Sequence, residues 1–124
     1  MSKVRGLRGA TTANENGKEA ILEATTELLT KLVDANKINL DDVAAAFFTT
    51  THDLNVEFPA VAARKIGWTS VALMCGHEMQ VPDGLPKCVR VLILLNTDKA
   101  PRDLVHVYLR GATHLRDRGM ENKK

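Results

Sequence analysis

Apolar residues at Ala20, Ile21, Ala24, Leu28, Leu29, Leu32 and Val33 recur at the spacing that gathers them on one side of a helix. The pattern predicts an amphipathic helix ending at Asn36 and Lys37, with Asn16 and Glu19 as its capping box. Before it, Val4 to Ala10 reads as a strand and Thr11 to Gly17 as a polar loop. After it, Asn39-Leu40-Asp41-Asp42 reads as a capped turn. Val43 to Thr51 is apolar and then threonine-rich, which suits a buried strand, while its three alanines also fit a helix. Phe58 to Ile66 carries a short helical pattern, with Pro59 tolerated in the first turn and Gly67 as the stop. Trp68 to Cys75 suggests another strand, and Val81 to Pro86 a turn.

Lys87 to Thr97 carries the strongest strand pattern. Cys88, Arg90, Leu92 and Leu94 share one face; Val89, Val91, Ile93 and Leu95 share the other. Both faces are apolar, so both need cover. Thr97 to Asp103 reads as a loop, Val105 to Leu109 as a short strand, and the charged stretch from Asp117 as a flexible tail. The element order predicts an α+β or α/β fold, a mixed sheet with a long helix packed on it. One helix cannot cover both faces of such a sheet, so the second apolar face implies a homo-oligomer.

The 124 residues suit a single domain over 1–124. A formal net charge of +2 gives no electrostatic case for nucleic acid or a membrane surface. Aromatic residues at 4% are too few for the stacking platforms that bind single strands. The start of the chain has charge without an apolar segment behind it, and the longest apolar run, Val91 to Leu95, is far too short to span a bilayer. The expected location is the cytoplasm, consistent with only two cysteines, Cys75 and Cys88.

Arg90 is the most informative residue. It interrupts the most apolar segment, where a cation must be paired or must serve a ligand; the sequence favours neither. Glu78, in Cys75-Gly76-His77-Glu78-Met79, reads when taken alone as an exposed loop carboxylate. Arg8 is preceded by Gly6 and followed by Gly9, and strand alternation turns it to the opposite face from Arg5. The four histidines lack metal-ligand spacing, and a Cys75–His77 nucleophile pair lacks an evident third group. Nucleotide-binding glycine motifs and the G-x-S-x-G elbow are missing. What remains suits a small polyanion whose chemistry needs no covalent help.

In order along the chain stand Arg5-Gly6-Leu7-Arg8-Gly9-Ala10-Thr11-Thr12, Phe58-Pro59-Ala60 with Arg64, and Cys75-Gly76-His77-Glu78-Met79. Leu85-Pro86-Lys87-Cys88-Val89-Arg90-Val91, His106-Val107-Tyr108-Leu109 and Leu115-Arg116 follow. Together they resemble the monofunctional, trimeric chorismate mutases over Val4 to Arg116. The resemblance implies a pseudo-α/β-barrel homotrimer with active sites between subunits, rearranging chorismate to prephenate in Phe and Tyr biosynthesis without cofactor or metal. It implies catalytic roles for Arg90, Glu78 and Arg8. Tyr108, Cys75, Met74, Gly76, His77, Phe58, Arg64, Leu115 and Arg116 would contact substrate. Val61, Met74 and Asp117-Arg118 depart from the family pattern, where lysine, a small hydroxyl residue and proline are familiar. Two other readings share the trimeric architecture: an enamine/imine deaminase and a non-catalytic trimer that binds a small anion.

Overall fold

The computed structural model describes residues 2–117. Residues 118–124, most of the predicted tail with Arg118, lie outside the described residues. Asp117 belongs to a short 3-10 turn, Leu115–Asp117, and not to a tail.

Five strands form one mixed sheet: β1 (Lys3–Thr12), β2 (Val43–Thr50), β3 (Ala72–His77), β4 (Cys88–Thr97) and β5 (Val107–Tyr108). Their spatial order is β3-β2-β4-β1-β5. β4 runs antiparallel to both β1 and β2, whereas β2–β3 and β1–β5 are parallel. The helical alternative for β2 fails because alternate residues, Val43, Ala46, Phe48 and Thr50, are buried, the shift in phase falling at a bulge between Val43 and Ala45. Trp68 is not in a strand; β3 begins at Ala72, and the indole sits in the core.

Helix α1 (Lys18–Asn36) buries Ile21, Ala24, Thr25, Leu28, Leu29 and Leu32, the face its periodicity predicts. Each such leucine contributes about 2 kcal/mol by leaving water. The predicted capping box does not form. Gly17 is the N-cap without a side-chain bond, and the Asn16 amide instead joins Asn55 at 2.8 Å. Lys37 closes α1 in the left-handed conformation. Helix α2 (Pro59–Lys65) starts on Pro59 and is followed by Gly67 at φ 102°, where a glycine is favoured.

Both helices lie on one side of the sheet. Val89, Val91, Ile93 and Leu95 of β4 point into that core with Leu7, Phe48 and Trp68. The centre of the opposite face is open. There Leu92 of β4 pairs across the sheet with Phe47 of β2 and Arg8 of β1, and Phe47 pairs with Met74 of β3. Leu92 is 41% exposed and Met74 63%. Among the described residues only one end of this face is covered, where Ala112, Tyr108 and Leu115 pack on Ala10 and Cys88.

Candidate active site

Strand register builds the site. One row across the open face runs Gly76, Thr49, Arg90, Ala10, Tyr108. Residues paired across a sheet share a face, so Arg90 and Tyr108 look out on the same side. The next row places Arg8 beside Leu92.

Arg90 is paired. Its guanidinium lies 3.2 Å from Glu78 Oε2, and its side chain is 45% exposed, so it is not the buried charge the apolar segment suggests. Among the described residues no α-helix packs over the β4 face carrying it, and the cation faces a recess. Glu78 is more enclosed than a loop carboxylate. Thr49 Oγ1 donates to the same Oε2, and the Glu78 backbone N–H donates to Thr50 O at 2.9 Å. His52 and His77 stack at 4.7 Å beside this turn, and His52 Nε2 lies 3.1 Å from the Glu78 carbonyl. Thr49 and His52 were missed by the sequence reading. Only the register of β2 against β3, which ends one residue before Glu78, and the turn after β2 bring them to it.

The Arg90–Glu78 pair opens into a recess of about 540 Å³ lined by Thr51, Met79, Leu85, Cys88, Gly111 and Leu115 among others. That volume suits a small organic ligand. Burial pushes the Cys88 thiol up to about 11 despite the pull of Arg90, so it is an inert part of the wall. At the sheet edge the Arg8 backbone N–H donates to His106 Nδ1 at 3.0 Å. Burial, then the charges of Arg8 and Arg116, hold His106 below the usual histidine range. This leaves the ring neutral, with Nδ1 free to accept. Arg8 and Arg116 both lie close enough to His106 for their charges to act on it.

The other predicted contacts stand apart. Phe58, Cys75, Gly76 and His77 line a separate recess of about 310 Å³ with Leu54, Val56 and Pro59. Cys75 also feels the charge of Arg64 on α2, yet burial raises its thiol overall. His77 Nδ1 lies 3.2 Å from Thr50 Oγ1. A raised thiol is the opposite of an activated nucleophile, which argues against a Cys75–His77 dyad. Met74 faces neither recess and stays on the open sheet face. Among the described residues, groups of three or more His, Cys, Asp or Glu that could hold a metal ion are absent, and no helix is long and apolar enough to cross a membrane.

Residues 4–118 match the family model for chorismate mutase type I. The chain is 52% identical over 115 residues to a chorismate mutase AroH of Thermus thermophilus, covering 91% of this chain and 93% of that one. It is 40% identical over 114 residues to the chorismate mutase AroH of Bacillus subtilis (strain 168), covering 91% of this chain and 90% of that one. Its fold superposes on a solved chorismate mutase from Clostridium thermocellum with TM-score 0.86 at 48% identity, covering 88% of this chain and 97% of that one.

Proposed function

The chain belongs to the type I chorismate mutase family, and from that premise we propose that the recess at Arg90 rearranges chorismate to prephenate, an isomerase step in aromatic amino-acid biosynthesis. The reaction is pericyclic. One C–O ether bond breaks as one C–C bond forms, the ether oxygen gains negative charge, and the ring fragment gains positive character. The single observation that carries this reading is the fixed Arg90–Glu78 pair, a cation and a carboxylate 3.2 Å apart at the head of a ligand-sized recess.

In this reading Arg90 donates to the ether oxygen and to a substrate carboxylate, because its rigid fork serves two acceptors and stays charged. A preorganised donor at a developing oxyanion is worth on the order of 3 kcal/mol. Glu78 accepts from the ring hydroxyl and faces the positive fragment. Thr49 supports this role by holding the carboxylate oxygen in place before substrate arrives. Arg8 binds a carboxylate and Tyr108 adds a hydrogen bond. Arg116 draws in the dianion at the mouth, beside the wall residue Leu115. Holding the flexible side arm over the ring supplies the rest of the acceleration through near-attack geometry.

Phe58, Arg64, Cys75, Gly76 and His77 belong to the same site through a neighbouring copy. Phe58, Cys75, Gly76 and His77 line a recess other than the one at Arg90 within one chain, which supports a site shared between subunits; the open apolar face at Phe47, Leu92 and Met74 supports an oligomer that covers it, and the family resemblance makes that oligomer a trimer. We take residues 1–124 as one catalytic domain acting in the cytoplasm. The deaminase and the silent anion binder are disfavoured by the family assignment.

The test is loss of chorismate absorbance with purified protein, prephenate being confirmed by acid conversion to phenylpyruvate. Turnover is expected, and Arg90→Ala is expected to lower kcat by about a hundredfold or more. Turnover that survives this substitution overturns the assignment of Arg90.

A further inference from the structure

Nothing in the sequence assigns Arg110 a role, and the fold gives it an unusual position. It sits at φ 52°, in the left-handed region. A residue with a Cβ is disfavoured there, and glycine is the residue that backbone geometry alone selects. Glycine does occur one position later, at Gly111. An arginine at 110 therefore calls for a side-chain reason.

Three nitrogens of its guanidinium supply that reason. Nε donates to Glu27 Oε1 at 3.1 Å, one terminal nitrogen lies 3.5 Å from Glu23 Oε1, and the other donates to the Thr12 carbonyl at 3.3 Å. Glu23 and Glu27 are one turn apart on α1, so both carboxylates reach the same cation. The next residue adds to the clasp. Gly111 N–H donates to Thr12 Oγ1 at 3.1 Å, and a Cβ at 111 would stand 3.0 Å from Thr12 Cγ2.

The clasp stands where the chain turns around the sheet edge. α1 covers one face of the sheet, whereas Ala112 and Leu115, just beyond Arg110, pack on Ala10 and Cys88 of the other. Gly111, His114 and Leu115 then form a wall of the recess that holds Arg90 and Glu78. We infer that Arg110 is a positioning residue for substrate capture: by fastening the turn to α1 and to the end of β1, it keeps the 111–117 wall closed on the recess before substrate binds.

This inference rests on the chorismate mutase reading. Apparent affinity falls in proportion to the population of the competent wall. Bound substrate can still draw the wall in, so the chemical step is spared. Arg110→Gly is the informative variant, because it removes the guanidinium and relieves the backbone. The expected result is a KM for chorismate raised about tenfold with kcat within about twofold of the unaltered enzyme. Arg110→Lys should recover part of the lost affinity, and Glu27→Gln should reproduce a smaller KM increase without touching the turn. Amide hydrogen exchange of the free protein should be faster at Gly111 and Ala112 in Arg110→Gly. An unchanged KM in both Arg110→Gly and Glu27→Gln overturns the inference, as does a fall in kcat at constant KM. Failure of the unaltered protein to turn over chorismate would sink the functional reading instead, and the exchange measurement would still report whether the clasp holds the wall.

Discussion

At the scale of single residues, the side chains proposed to do the chemistry are ordinary ones made selective by position. Arg90 and Glu78 neutralise each other in the free protein, so each waits in place without an unpaired charge. Thr49 decides which way the carboxylate points. Hydrogen bonds to charged groups contribute about 1.5–3 kcal/mol, so Thr49→Val is expected to lower kcat about tenfold or more while KM and the folded state change little. Steady-state kinetics alongside circular dichroism checks this, and an unaltered kcat would mean that Arg90 alone orients Glu78. Arg90 and Glu78 were legible in the sequence, the first because a cation in an apolar strand needs a reason, the second by family resemblance. Thr49 was not, because nothing in a threonine on a strand announces its partner 29 residues away. Arg110 was silent for the same reason: its carboxylates lie on α1, 83 and 87 positions earlier.

At the scale of elements, hydrophobic periodicity carried furthest where one face is buried. The α1 stripe and the alternation of β4 lie as the pattern foretells. Boundaries set by local polar chemistry were less legible. Asn16 prefers Asn55 across the fold to capping α1, and Trp68 joins the core ahead of β3. The contact of α1 with the sheet depends on Gly9, where a Cβ would meet Leu32 Cδ1 at 2.7 Å, Leu28 Cδ1 at 3.1 Å and the Val107 carbonyl at 3.3 Å. The leucine ends can swing aside, but the carbonyl belongs to the β1–β5 pairing. Overpacking of this kind costs about 1–3 kcal/mol. Gly9→Ala is therefore expected to lower Tm by about 5–10 °C, measured by calorimetry, and to weaken the edge strand carrying Tyr108. A Tm equal to that of the unaltered protein would show that α1 can shift to make room.

At the scale of the whole molecule, the proposed trimer ties assembly to activity through the uncovered face. Phe47, Leu92 and Met74 form an apolar strip beside Arg8 and Arg90, and such a strip on a small protein marks an interaction surface. Phe47→Lys puts a charge on the strip without touching the proposed catalytic groups. It is expected to yield smaller species in sedimentation equilibrium and to lose most activity, because the two recesses then no longer meet. A variant that stays assembled and active would remove this face from the interface. What the sequence by itself determined is the long helix and its inward face, the alternating faces of β4, and a family signature spread over the chain, since local periodicity and residue identity need no long-range information. What only the tertiary structure decided is pairing: which strands stand side by side, which threonine meets Glu78, which helix holds Arg110, and that one chain spreads the predicted site residues over two recesses. Those facts depend on strand register and chain reversal, which bring together residues whose distance along the chain says nothing about their distance in space.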